Sequence, residues 1–358
     1  MAMNVNSSYS APFATGSGVD IYRKINQRRQ IIFFVTLASL FVALIVDLMV
    51  GPSWLTAGEV IEALGLGPRG ESISSAIVWS VRLPMTLICF SVGASLALAG
   101  VMMQTILANP LASPYTLGIS SAAGFGAAIA FLTGFPFIGA QWLNVSLSAT
   151  LMSFVGSAVI YVMGKAKGMQ ARTMVLCGIV VHFFFQALQS LVQFSSTPEV
   201  AGQIVYWMFG SLLKANWMGV MVGSVVFLVS ALLLSRFVWH LTALSAGEER
   251  ARSLGINTER LRLWIFIISA VLTAGAVAFV GTVGFIGLVA PHCARMLVGE
   301  DQRYLAPLSV LFGILLMVSA SIVAKLVIPG VIVPIGIVTS LVGVPFLLYL
   351  IMRRGAVR

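Results

Sequence analysis

The residues able to do chemistry are few and scattered. His182, His240 and His292 lie on different segments, and Cys89, Cys177 and Cys293 are just as isolated. Neighbouring positions therefore assemble neither a metal-ligand set nor a nucleophile with its base, and no metal site and no catalytic residue is expected. Of the eleven acidic residues, only Asp47 falls inside an apolar run long enough to span a bilayer. Carboxylates at membrane depth are the usual means of coupling movement to protons or sodium, so their near absence counts against an ion-coupled secondary transporter. That class stays open as the alternative, with coordination around His182 and a broken helix. No G-x-x-x-x-G-K-[ST] phosphate loop occurs; Gly164-Lys165 lacks the earlier glycine and the following hydroxyl. A process driven by ATP would have to draw it from a partner.

Two other clusters have useful spacing. His182, Gln186, Gln189 and Gln193 recur at helical intervals, and such a stripe either lines a pathway or hydrogen-bonds to neighbouring helices. The charged loop 239–262 contains Gly247 to Gly255, where Ala251 and Leu254 offer a short apolar face and Gly255 can stop a helix. It is either a docking surface for another protein or a solvated loop.

The elements that hold these residues follow from composition. Of 358 residues 59% are hydrophobic and only 9% charged, and the mean hydropathy is +1.01, so the natural solvent is a bilayer. A spanning helix needs about 20 apolar residues. Runs of that kind predict an all-α, polytopic protein of about ten transmembrane helices, near 31–50, 83–106, 115–134, 144–164, 173–194, 217–236, 263–283, 285–298, 305–327 and 333–352. The reading divides the chain into a tail at 1–30, one membrane domain at 31–352 with the loop 239–262, and a tail at 353–358. From Leu263 to Ala294 no charge occurs for 32 residues, about 48 Å of helix against a core of about 30 Å. The run must break, and Gly281, Gly284, Gly287 and Pro291 are the breaking positions. Backbone interrupted at that depth survives only when buried in protein or lining a wet cavity.

The net charge of +10 is read as a topology signal rather than a nucleic-acid surface. With the N-terminus inside, 17 of the 21 Lys and Arg residues fall on the cytoplasmic side; only Arg69, Arg82, Lys214 and Lys325 fall outside. Both termini are then cytoplasmic.

Several motifs in order now carry a resemblance. Arg82-Leu83-Pro84, residues 93–100 with Gln104, and Asn109-Pro110-Leu111-Ala112-Ser113-Pro114 with Leu117-Gly118-Ile119 resemble those of FecCD-type permeases of bacterial iron-siderophore, haem and cobalamin ABC importers. Residues 207–212, the 247–255 loop, 284–292 with Arg295, Pro334-Ile335-Gly336 and Gly343-Val344-Pro345 extend the resemblance over nearly everything from residue 31 onward. It implies type II ABC importer permease architecture in the bacterial inner membrane. Two permease chains would enclose a central pathway, two ATP-binding subunits would carry the ATP and Mg, and a periplasmic substrate-binding protein would deliver the cargo. This chain itself would hold no cofactor.

The resemblance also implies roles. Gly247, Glu249, Ala251, Leu254 and Gly255 belong to the loop that couples to the ATPase, and Asn109, Pro110 and Leu111 to the turn at the cytoplasmic gate. Arg82 and Lys325 are the expected docking charges for the binding protein, and His182, Gln186 and Gln189 are candidates for the pathway lining. The chain departs from the family at Met85, Ser321, Lys325 and Ile332, where an Arg, an Asp, an Arg and a Glu are common, which would suit a heterodimer. The implied activity is import of a ferric siderophore, with haem or cobalamin as the alternative cargo.

Overall fold

The computed structural model describes residues 18–51, 53, 55–134, 139 and 141–355; the parts of the expected tails at 1–17 and 356–358 lie outside the described residues. Among the described residues the chain is all-α and no strand occurs. The first helix, α1 (Gly18–Met49), is followed by the short α2 (Ala57–Leu66) and α3 (Ile73–Ile77), and α3 runs through a π turn, Val78–Arg82, into α4 (Leu83–Ile106). Next come α5 (Ile119–Thr133), α6 (Gln141–Ala166), α7 (Ala171–Phe194), α8 (Pro198–Met208), α9 (Trp217–Ser235), α10 (Val238–Ser245) and α11 (Glu248–Ser253). The last four are α12 (Thr258–Val280), α13 (Ile286–Val298), α14 (Gln302–Leu326) and α15 (Ile335–Gly355).

Among the described residues seven helical stretches are long and apolar enough to cross a membrane: α1, α3–α4, α6, α7, α9, α12 and α14. The shorter apolar helices α5, α13 and α15 bring the total to the ten expected. Helix α1 begins at Gly18 rather than near residue 31. Its 32 residues measure about 48 Å, more than a bilayer core of about 30 Å. The turns holding Arg23, Lys24, Arg28 and Arg29 thus continue the same helix.

Helix α4 occupies the centre. Of its most apolar stretch 89% is buried, against 17% for α1, so α4 is surrounded by protein and α1 lies at the edge. Small side chains make this possible, because they let backbones approach closely without side-chain ridges between them. A Cβ on Gly100 would lie 1.8 Å from the Gly287 carbonyl oxygen, and one on Gly313 would lie 2.3 Å from the Ala97 Cβ. Gly287 therefore serves as the close-contact point of α13 on α4. Pro291 is likewise inside α13, at its sixth position, where a proline leaves the carbonyl four residues earlier, that of Gly287, without its helical N–H partner. Of the four expected breaking positions only Gly281 and Gly284 lie in the break.

The break itself is present: α12 ends at Val280 and α13 starts at Ile286. Gly281 has φ +85° and Phe285 φ +67°, each turning the chain at a helix end. Charged pairs divide between two ends of the bundle. Arg29 and Asp301 approach to 3.7 Å, tying the first half of α1 to the start of α14, and Arg262 meets Glu248 at 2.8 Å, tying the start of α12 to α11. Asp47 and Lys325 meet at 2.7 Å, joining the far ends of α1 and α14. Arg82, Lys325 and Lys214 fall at this second end, and the first is the Arg-rich end.

Candidate functional site

The densest polar arrangement sits at the Arg-rich end, where α12 begins. Its N-terminus is set by Asn257, whose side chain accepts the Arg260 N–H at 2.9 Å, and one turn later Arg262 is turned inward with only 4% of its side chain exposed. A guanidinium offers five donors in a rigid fork, and here four contacts use it. Nε donates to the Ile106 carbonyl at the end of α4 at 3.2 Å. Nη1 donates to the Met169 carbonyl between α6 and α7 at 3.1 Å and to Glu248 at 3.2 Å, and Nη2 donates to Glu248 at 2.8 Å. Both carbonyls belong to chain ends that would otherwise lack partners. Glu248 also accepts from Arg252 at 2.8 Å and Thr258 at 3.3 Å. The hydrogen bond from Arg262 holds the Glu248 carboxyl below its ordinary range.

This places the 247–255 loop in direct register with the 109–111 turn. A cleft of about 370 Å³ lies between them, lined by Asn109, Pro110, Gly247, Glu248, Arg262 and Arg295. The turn is built locally: Asn109 Oδ1 accepts the Leu111 N–H at 2.9 Å, an Asx turn that fixes where the chain reverses. Leu111 is 43% exposed. Gln104 anchors the far wall, with Oε1 accepting from Arg295 at 2.7 Å. Within the loop, α11 starts after Gly247 and ends before Gly255, at φ +81°. Ala251 is fully buried whereas Leu254 is 71% exposed, so the two do not form one apolar face. Ala251 seats the loop on the bundle, and Leu254 and Glu249 point outward.

A second arrangement surrounds the helix break. The Ser211 N–H donates to Val280 O at 2.7 Å, the Gly336 N–H to Phe209 O at 2.9 Å and the Ile335 N–H to Gly210 O at 3.0 Å, and the Thr282 hydroxyl donates to Met208 O. Three sequence motifs, 207–212, 281–285 and 334–336, thus satisfy one another's backbone where helices are interrupted. Interrupted backbone needs that at membrane depth. The Phe285 ring lies 6.4 Å from Tyr115, and Tyr115 lies 6.1 Å from His182. His182 Nδ1 and Ser121 Oγ are 2.7 Å apart. The expected polar stripe on α7 is split: His182 is half-buried against α5, Gln189 is buried with its amide against the Met208 sulfur, and Gln186 is exposed.

Arg82 and Lys325 do not present their charges to solvent, contrary to the expectation for docking groups. Arg82 is 2% exposed; it donates to the Met49 carbonyl at 2.7 Å and the Ser53 carbonyl at 2.6 Å, closing the carbonyl end of α1. The π turn before α4 aims it there. Lys325 is 3% exposed and donates to Asp47, which also accepts from Thr86 at 2.6 Å. Ser321, where the family commonly has an acid, contributes no hydrogen bond; the partner of Lys325 comes from α1 instead. The sequence reading missed Arg262 and the Asp47–Lys325 pair. Asp47 and Lys325 were marked only as charges inside apolar runs, and Arg262 only as the last charge of the 239–262 loop.

A polytopic helical bundle with broken helices around a central helix, and a charged loop seated at one end, is the construction of a membrane permease. The model of the FecCD transport family matches residues 39–353, and the chain belongs to that family. An ABC transporter permease protein of Methanocaldococcus jannaschii is 38% identical over 340 residues, covering 92% of this chain and 97% of that one. The Fe(3+)-citrate import permease YfmD of Bacillus subtilis is 31% identical, covering 93% and 97%, and the molybdate import permease MolB of Haemophilus influenzae 33%, covering 91% and 97%. A solved structure described as an inward-facing metal-chelate type ABC transporter superposes with TM-score 0.79 at 31% identity, covering 90% of this chain and 99% of that one. The protein is therefore a multi-pass ABC importer permease and not itself an enzyme; in such systems a partner subunit binds the ATP.

Proposed function

We infer that this chain moves a ferric siderophore inward across the bacterial inner membrane, with both termini in the cytoplasm. It would pair with a second permease chain, take cargo from a periplasmic binding protein and draw energy from two ATPase subunits docked at the Arg-rich end. The observation that carries this is the Arg262 junction, in which one buried side chain ties the 247–255 loop to the end of α4 and the cleft beside the 109–111 turn. When the ATPases close, force on the exposed residues Glu249 and Leu254 would pass through Glu248 and Arg262 to that turn. Passage through the bundle would then run past His182, Tyr115 and Phe285.

The iron-chelate cargo is supported by the Bacillus subtilis relative, whose name gives iron citrate. The molybdate relative stands at similar identity, so an oxyanion belongs in the test. The experiment is ATP-driven uptake into proteoliposomes holding the permease, its ATPase and its binding protein, offered ferric siderophores, haem, cobalamin and molybdate in turn. Accumulation of a ferric siderophore alone is expected. Accumulation of molybdate, haem or cobalamin instead would overturn the cargo and keep the importer; uptake that needs no ATPase would overturn the importer reading itself.

A further inference from the structure

A groove of about 500 Å³ runs along the outer surface between α9 and α12 and takes no part in the junctions above. Val229 and Leu233 from α9 and Ile267 and Val271 from α12 wall it, with Arg236 and Trp264 at one end. That end belongs to the Arg-rich face: Arg236 follows the last residue of α9, and Trp264 lies two residues beyond Arg262 in α12. Arg260, four residues before Trp264, stands one turn nearer the helix start on the same face and is exposed. Arg252, Arg262, Arg295 and Arg303 are all in ion pairs; among the described residues Arg236 and Arg260 are in none. Trp264 is 53% exposed, and an exposed indole at the end of a spanning helix favours the headgroup region.

Charge and shape together narrow the occupant. A free anion would satisfy the two guanidinium groups and leave an aliphatic trough empty, whereas an apolar helix would fill the trough and leave two positive charges unmatched. An amphiphile with a negative head does both. We propose that this groove is a binding site for one anionic phospholipid of the leaflet at the Arg-rich end. Its phosphate lies against Arg236 and Arg260, and one acyl chain runs between Val229 and Val271. Basic groups between spanning helices recognise lipid phosphates in this way.

The test uses the full chain, purified with its ATPase in neutral detergent and titrated with phosphatidylglycerol or phosphatidylcholine while native mass spectrometry counts bound lipid. Wild type should prefer phosphatidylglycerol. The double variant Arg236→Ala/Arg260→Ala should lose about thirty-fold in phosphatidylglycerol affinity, about five-fold for each charge, with phosphatidylcholine binding unchanged. Val229→Trp, which fills the trough from an exposed position, should weaken both lipids. Size-exclusion elution of each variant checks that these surface changes leave the complex folded. Equal phosphatidylglycerol binding by wild type and the double variant overturns the proposal. So does full displacement of the lipid by inorganic phosphate, which would make this an ion site only, or a disulfide between two copies carrying Val229→Cys, which would make the groove a protein interface.

Discussion

Changing Glu248 to Gln keeps the size of the side chain and removes the charge that Arg262 meets. The carboxylate takes two hydrogen bonds from Arg262, at 3.2 and 2.8 Å, and one from Arg252 at 2.8 Å. Hydrogen bonds between charged groups contribute about 1.5–3 kcal/mol each when shielded. Here the Glu248 side chain is 37% exposed against 4% for Arg262, so water replaces part of what is lost, and a net cost of about 2 kcal/mol follows. Spread over the seated and unseated positions of the 247–255 loop, that is about a thirty-fold fall in the ratio of seated to unseated loop. The Arg262 contacts to the Ile106 and Met169 carbonyls survive, so the bundle should fold. The assay measures ATP hydrolysis and cargo uptake side by side in proteoliposomes. Hydrolysis should persist while uptake per ATP falls to about a tenth or less, because the force reaches α11 and stops there. Unchanged uptake per ATP in a variant shown to have lost the Glu248 contact would refute the idea that this junction transmits movement.

Three other outcomes follow from the geometry. Because Glu248 is held below its ordinary range by the Arg262 hydrogen bond, its stabilisation is complete above the unfolded carboxylate pKa of about 4.3 and is lost as pH falls through the lower folded value. The melting difference between wild type and Glu248→Gln should therefore be flat from neutral pH to about pH 5 and shrink below that; a difference that grows on acidification would reverse the sign. Asp47→Asn or Lys325→Met alone should cost about 3–5 kcal/mol by stranding a buried charge, while Asp47→Leu with Lys325→Met should recover most of it. Thermal unfolding and uptake measured together decide this, and a double variant that is stable but inactive would mean the pair works in transport. Gly100→Ala should lower the yield of folded protein sharply, since its Cβ falls 1.8 Å from a backbone oxygen. Gly255→Ala has open space and only the strain of φ +81°, about 1–2 kcal/mol; equal yields of the two would contradict the packing argument.

Much of this was readable in advance because apolar length alone sets the number of crossings, and the charge-free stretch after Arg262 had to break. The break falls at residues 281–285, where Gly281 and Phe285 turn the chain at positive φ, whereas Pro291 lies inside α13 and does not end it. The short helices were passed over although they carry local signals: Thr56 and Glu59 form a capping box at α2, and Thr197 with Pro198 opens α8. The inward turn of Arg82 and Lys325 was not legible. Hydropathy counts a charge without saying whether a distant backbone carbonyl or an Asp on another helix will receive it. The same holds for Arg262, whose partners lie 14, 93 and 156 positions away.

The central position of α4 has a consequence for how the protein is made. Helix α4 enters the membrane early, yet the helices that sheathe it, α12, α13 and α14, lie in the last third of the chain. Until they are synthesised, its faces of Gly, Ala and Ser are in contact with lipid, and the close-packed surfaces that later meet Gly287 and Gly313 have nothing to meet. The half-made chain is thus a loose assembly whose hub is waiting for its walls.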